Sequence, residues 1–315
     1  MLSVFRRGGG GFEPQAIAPG WRPPDDAIWI DLFDPTREEE VAVETALGLQ
    51  LPTVAEMQAL EPSSRLYQED GATFMTATLL SRMEDVAPVA TPVTFVLQKG
   101  VLTTLRYADL RAFSIYAGRA RADTDGAQAL LGLLDAVIER LAQGLDGLGD
   151  KTSEVSATIF RRPPSNAFEV LLTELAHTQS SASQIRTSLV SLARLVSFAS
   201  LAPDLSVEAD RRAHLVSLQQ DVQSLIEHGG HLSSHISFLL NAALGLINIE
   251  QNGIIKFFSV VAVVFMPPTL IASIYGMNFD LIPELHWRLG YPAALVLMAA
   301  AGILPFLWFK RRGWL

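Results

Sequence analysis

Two uncharged apolar runs near the C-terminus, Phe257 to Tyr275 and Tyr291 to Phe309, constrain this chain more than anything else in it. Each is 19 residues long, close to the roughly 20 residues a helix needs to cross the hydrocarbon core of a bilayer. Backbone polar groups in lipid must be satisfied inside the segment, so such runs read as helices. They flank a short connector that opens Gly276-Met277-Asn278. The chain before residue 250 has the composition of a water-soluble protein. The expected architecture is therefore a soluble body carrying two membrane helices. Hydrophobic residues make up 49% of the 315, and the two runs account for much of that excess.

Charge and residue usage remove several function classes. The formal net charge is -9, from 24 Lys and Arg against 33 Asp and Glu, which argues against a nucleic-acid partner. There are no cysteines, so disulfides, thiolate metal sites and cysteine nucleophiles are excluded. Met1 to Pro14 contains no apolar stretch of signal-peptide type, and the soluble body is expected to stay where it is made. Lys310-Arg311-Arg312 follows the second run and is a positive-inside signal. Both termini are thus expected on the cytoplasmic side of a cytoplasmic (inner) membrane, with the connector 276–290 outside.

Residues 1–25, rich in Gly and Pro, are expected to be poorly ordered. Ala27 to Leu32 alternates as a strand does, and Asp34-Pro35-Thr36 before Glu38–Glu40 reads as a helix start. Another short helix is expected from Pro52-Thr53. Strand-like runs follow at Ser64–Gln68, Thr73–Ser81, Pro92–Leu97 and Val101–Arg106, with Lys99-Gly100 as a tight hairpin turn. Strands this close in sequence argue for an antiparallel or mixed sheet with helices around it. Asp109–Ala122 and Ala127–Gly149 read as helical, and the pattern stays helical to Leu201 with a break at Pro163-Pro164. The fold class expected is an α/β cytoplasmic domain with a long stalk helix entering a two-helix membrane region. The divisions are 1–150 for the α/β domain, 151–250 for the helical and stalk region and 251–275 for the first membrane helix. The external loop is 276–290, the second membrane helix 291–310 and the basic tail 311–315.

The most regular pattern is a heptad seam: Leu215, Leu218, Val222, Leu225, Gly229, Leu232, Ile236, Leu239, Ala243 and Leu246, in alternating steps of three and four. No proline intervenes between Pro203 and Pro267. The simplest reading is one helix from about Ser206 to Tyr275.

Two helices cannot enclose an aqueous path, so any pore must lie on the symmetry axis of a homo-oligomer. The first run carries the polar positions. Steps of three or four pick out Asn252, Ile255, Phe258 (or Ser259), Ala262, Met266, Thr269 and Ser273, polar at the ends and apolar in the middle. In a ring, Ile255, Phe258 and Met266 would make a narrow constriction of the kind that gates by dewetting. The plainer alternative is ordinary helix packing. Pro267-Pro268 leaves carbonyls without helical donors. The Thr269 hydroxyl is one expected partner. A carbonyl facing an axis would instead offer oxygen to a cation, and a simple kink is the third possibility. Gly276 is expected to end the helix in a left-handed conformation, and Asn278 to project its amide beyond it. A ring of neutral amide oxygens suits Mg²⁺, which sheds its water shell reluctantly. Asp280 and Glu284 would concentrate cations at the mouth by their field, unless they are ordinary loop acids.

These residues resemble a known family, the CorA magnesium transporters. The resemblance is carried by Ile249-Glu250-Gln251-Asn252 with Ile254-Ile255-Lys256, Met266-Pro267-Pro268-Thr269, Tyr275-Gly276-Met277-Asn278-Phe279 and Pro283-Glu284-Leu285. Trp287, Gly290-Tyr291-Pro292, Phe309-Lys310 and Trp314-Leu315 complete it. It covers about residues 249–315. It implies a funnel-shaped homopentamer, with the first membrane helix lining the pore and the second outside it. Gly276, Met277 and Asn278 match the selectivity filter, Thr269 a polar ring within the pore, Asn252 a ring at its cytoplasmic end, and Ile255 with Phe258 the hydrophobic gate. It also implies closure by intracellular Mg²⁺ held between neighbouring cytoplasmic domains. Glu84, Asp85 and Asp221 are candidates for that regulatory metal, each with the alternative of a solvated surface acid.

The leading expectation is a divalent-cation channel for Mg²⁺, also admitting Co²⁺ and Ni²⁺, with Mg²⁺ as transported and regulatory ion and no catalytic cofactor. Its partners are the ions, the lipid bilayer and further copies of itself. His228, His231 and His235 share one side of the stalk, with His214 and Asp221 in the same heptad row. Such imidazoles can bind Zn²⁺, Ni²⁺ or Co²⁺, which motivates a zinc or broad-specificity transporter as the alternative; polar residues beside the seam are the plainer account. A membrane-tethered metal sensor without a pore is the third reading. No nucleophile–base pair or cofactor motif points to an enzyme.

Overall fold

The computed structural model describes residues 1–7, 12–16, 20–59, 61–83, 88–119, 125–161, 167–277, 283 and 287–314. The chain divides into two compact units, Met1–Leu240 and Asn241–Leu315.

The first unit is built on a seven-stranded sheet: β1 (Leu2–Arg6), β2 (Phe12–Pro14), β3 (Ala27–Phe33), β4 (Leu66–Glu69), β5 (Ala72–Ser81), β6 (Val89–Gln98) and β7 (Val101–Arg106). The strand order is β2-β1-β3-β7-β6-β5-β4. Neighbours are antiparallel except β3 with β7, which are parallel, so the sheet is mixed. Two hairpins turn on adjacent left-handed residues, Asp70-Gly71 (φ 49° and 75°) and Lys99-Gly100 (φ 51° and 77°). That is the geometry of the two-residue turn whose twist matches the strands. The N-terminal segment departs from expectation. Leu2–Arg6 is not loose but pairs along β3, with Val4 opposite Ile30. Its order comes from a partner more than twenty residues away, which its own composition does not reveal.

Helices cover both faces. α1 (Arg37–Leu47) and α2 (Val54–Gln58) each begin with a capping box, Thr36 with Glu39 and Thr53 with Glu56. Glu39 also accepts a 3.1 Å bond from the Leu2 backbone, tying β1 to α1. The core on this face includes Leu2, Ile30, Leu32, Val43, Met57 and Phe74. The other face holds Trp29, whose ring meets Phe113 of α3 (Arg111–Arg119) at 5.8 Å. α4 (Gly126–Phe160) starts against β7. A Cβ on Gly126 would lie 2.5 Å from the Gly100 carbonyl oxygen and the Leu102 nitrogen, so only glycine fits. α4 runs unbroken through residue 150, where the α/β domain was expected to end. α5 (Ala167–Ala199) follows; Pro163-Pro164 lies outside the described residues. Beyond the short α6 (Pro203–Ser206) comes α7 (Ala209–Tyr275), 67 residues in one helix.

Within the first unit the heptad seam of α7 is core. Leu215, Leu218, Val222, Leu232, Ile236 and Leu239 are buried, and a Cβ on Gly229 would lie 3.7 Å from Leu145 Cδ2 of α4. Two ion pairs flank it, Arg211 to Asp125 and His214 to Asp135, the second at 2.9 Å.

One charged pair sits deep in the sheet. Arg106 of β7 meets Asp31 of β3 through Nη2 at 2.8 Å, with Nε on both carboxylate oxygens. Thr104 donates to Asp31 at 2.7 Å and accepts from the Trp29 indole at 2.9 Å. The guanidinium lies between the rings of Phe33 and Phe113. Asp31 is thus satisfied by two residues, Arg106 and Thr104, as a buried charge requires.

The second unit holds the end of α7 and α8 (Gly290–Arg311). Both are long and apolar enough to cross a membrane. α8 closes on Gly313 at φ 69°, with Trp314 donating to the Phe309 carbonyl at 3.1 Å. Lys310 and Arg311 stand in the last turn, and Arg312 lies 5.0 Å over the Trp308 ring. Aromatic rings beside basic residues mark a membrane–water boundary. The two helices meet at Gly302, where a Cβ would lie 3.4 Å from Pro268 Cγ and from the Val264 carbonyl oxygen.

Two outcomes follow from this packing. Arg106→Ala strands the Asp31 carboxylate in the core and is expected to cost about 3–5 kcal/mol, read as a lowered denaturation midpoint. Gly302→Ala should be close to neutral. Gly302→Leu must push α8 off Pro268 at about 1–3 kcal/mol, seen as a lower melting temperature in detergent.

Candidate functional site

The end of α7 has two chemically different sides. Val260 is buried, and Val264, Pro267, Pro268, Ile271 and Tyr275 are partly shielded. At about 100° per residue these fall on one face of the helix, the face that α8 covers at Gly302. Asn252, Ile255, Phe258, Ser259, Ala262, Met266, Thr269 and Ser273 are all exposed, and they centre about 180° away. The stripe singled out by its chemistry is therefore the side of α7 that α8 leaves bare. Its middle is strongly exposed and apolar, with Ile255 61%, Phe258 64% and Met266 68% accessible. The flanking Ile254, Phe265 and Leu270 are exposed and apolar too, suited to lipid or to a neighbouring copy.

Pro267 and Pro268 do not break the helix. They remove the donors for the carbonyls of Val263 and Val264. The Thr269 hydroxyl donates instead to the Phe265 carbonyl at 2.8 Å, which is neither of the two. The Val264 carbonyl oxygen faces α8, where a Cβ on Gly302 would lie 3.4 Å from it. This carbonyl therefore turns to α8 and is not an oxygen on the stripe. The Thr269 hydroxyl, its hydrogen spent inside the helix, presents its oxygen as an acceptor.

At the far end, Gly276 donates to the Ala272 carbonyl at 2.9 Å and Met277 to Ile274 at 3.3 Å. Gly276 is not among the left-handed glycines, which corrects the cap expected from sequence. The reason for glycine is space: a Cβ would sit 3.0 Å from the Ala272 oxygen. Asn278, Asp280 and Glu284 lie outside the described residues, as do Glu84 and Asp85.

Asp221, His228, His231 and His235 are exposed on α7, and His235 lies 6.5 Å from the Phe238 ring. Among the described residues no group of three or more His, Asp and Glu side chains is placed to hold a metal ion. The contact that sequence reasoning missed is Gly302. Its signal was the small-residue run Ala299-Ala300-Ala301-Gly302, since small residues let membrane helices approach.

A family model described as "CorA-like Mg2+ transporter protein" matches residues 24–311. The magnesium transport protein CorA of Salmonella typhimurium is 37% identical over 295 residues, 92% of this chain and 92% of that protein. The one from Haemophilus influenzae is 36% identical over 293 residues, with the same shares covered. Among solved structures, the complete CorA magnesium transporter of Methanocaldococcus jannaschii shares the fold with TM-score 0.76 at 18% identity, covering 100% of this chain and 98% of that one. Full-length CmaX follows with TM-score 0.70 at 16% identity, covering 98% and 96%. With the family's model spanning nearly the whole chain and relatives above one-third identity over 92% of it, this protein belongs to the CorA-like Mg2+ transporter family.

Proposed function

We propose that this chain is one subunit of a homo-oligomeric Mg²⁺ channel of the cytoplasmic membrane, a pentamer by family resemblance, with the face of α7 opposite α8 lining the pore. The observation that carries the reading is the opposition of the stripe Asn252–Ser273 to the face that Gly302 covers. A helix used only as a tether has no need of a polar-ended stripe on its uncovered side. The names of the relatives, which are magnesium transport proteins, support the choice of ion.

In this reading Mg²⁺ keeps most of its water shell, because its octahedral shell is shed reluctantly. Asn278, next to Gly276 and Met277, offers amide oxygens to coordinated water at the outer mouth. Asp280 and Glu284 raise the local cation concentration by their field. The Thr269 oxygen accepts from hydration water further in, and Ser273 and Asn252 serve as polar ends. Ile255, Phe258 and Met266 form the dry stretch whose wetting sets conduction. Co²⁺ and Ni²⁺, similar in size and charge, pass by the same contacts. Lys310, Arg311 and Arg312 hold both termini in the cytoplasm. Intracellular Mg²⁺ bound at acids of the soluble unit, with Glu84, Asp85 and Asp221 as candidates, closes the pore. Driven by the membrane potential, the flux needs no catalytic cofactor. The exposed histidines of α7 lack further ligands among the described residues, so no zinc site is included.

Two variants in liposomes test this. Asn278→Ala should abolish Mg²⁺ uptake while the oligomer keeps its size; selective uptake at the original rate in that variant would overturn the reading. Ile255→Asn, which wets the apolar stretch, should raise Mg²⁺ flux under conditions where the unaltered channel is shut.

A further inference from the structure

Away from the membrane helices, the soluble unit contains a basic cavity that conduction does not use. β4 pairs only with the first part of β5, Met75 to Ala72, so the edge of β5 beyond it would be bare. α5 covers that edge. Ser188 donates to the Thr78 carbonyl at 2.9 Å, and the Thr78 nitrogen donates to Ser191 Oγ at 2.9 Å. Between the end of β4 and α5 remains a cavity of about 400 Å³, in the size range of small-ligand sites. Arg65, Arg186, Arg194, Thr78, Thr187 and Ser191 are among its lining residues, and no carboxylate is.

The arginines are differently placed. Arg65 is half-buried and anchored, donating from Nε and Nη2 to the Met57 carbonyl at 3.1 and 2.9 Å and from Nη1 to Thr78 Oγ1 at 3.3 Å. Of the five N–H groups of a guanidinium, two are left. Burial, and then the charge of Arg194, lower its pKa from the usual value, so an anion here would relieve both costs. Arg186 and Arg194 are exposed and make no ion pair among the described residues. They stand on one face of α5, eight positions apart, or about 12 Å along the helix. That is farther than one phosphate spans. In a chain of net charge -9, three arginines gathered without a carboxylate mark a site for an anion from outside the chain.

We propose that this cavity binds an extended polyphosphate, with Arg65 on the inner phosphate, Arg186 and Arg194 on the outer ones, and the Thr187 and Ser191 hydroxyls beside them. Guanidinium groups bind phosphate oxygens by paired, charge-assisted hydrogen bonds, and the spacing selects a chain of phosphates over a single one.

The test uses the full-length protein in phosphatidylcholine nanodiscs with no Mg²⁺ present, titrated calorimetrically with tripolyphosphate and with orthophosphate. Saturable tripolyphosphate binding is expected, at least tenfold tighter than orthophosphate, and weakened about tenfold by R186Q and again by R194Q. Neither side chain makes a hydrogen bond or ion pair among the described residues, so both variants should melt at the unaltered temperature. Tripolyphosphate should raise the melting temperature of the unaltered protein but not of the double variant. Absent binding, or equal binding in the double variant, would overturn the proposal. So would a smaller oligomer in the double variant without any anion effect, which would assign the arginines to an acidic surface of a second copy.

Discussion

The close approach of Gly302 to Pro268 and the Val264 carbonyl decides the working geometry of the second unit. A proline pair in a membrane helix creates two carbonyls with no helical donor, a cost lipid cannot relieve. One of the two, that of Val264, turns toward the neighbouring helix, where Gly302 leaves room for a close approach. Once α8 is held there, one face of α7 is committed. The opposite face, with Asn252, Ile255, Met266 and Thr269, is left uncovered. The prolines thus set which side of α7 faces α8 and do not supply an ion ligand at Val264.

The soluble unit follows a comparable logic of covering what would otherwise be exposed or unpaired. The junction of β3 and β7 is the one parallel pairing among the described strands. It carries the Asp31–Arg106 pair with Thr104 and Trp29 around it. Such a network adds little net stability but penalises any register that would separate its members. At the other end of the sheet, α5 caps the β5 edge with serine hydroxyls. The same short β4 that exposes this edge leaves the space in which Arg65, Arg186 and Arg194 gather.

Much of the architecture was legible because it is written in local patterns. The two apolar runs, the Lys99-Gly100 turn and the seam from Leu215 follow from hydropathy, backbone permissiveness and period, and each depends on nearby residues alone. β1 was not legible, since five residues become a strand only when β3 offers its edge. The glycine at 276 was recognised but for the wrong reason: a helix end suggests a left-handed cap, whereas here a carbonyl 3.0 Å from a Cβ position leaves little room for a side chain. The division drawn at residue 150 falls inside α4, because helical periodicity on both sides of a position does not show where one helix ends.

By itself, then, the sequence determined the two apolar spans, one unbroken helix from about residue 206 to 275, and the chemical character of each α7 face, since period and polarity are properties of a single helix. Which face α8 covers, which way the freed Val264 carbonyl turns and that three arginines share one cavity were decided only by tertiary structure. Each of those is a distance between residues far apart in the chain, set by how close two backbones can come.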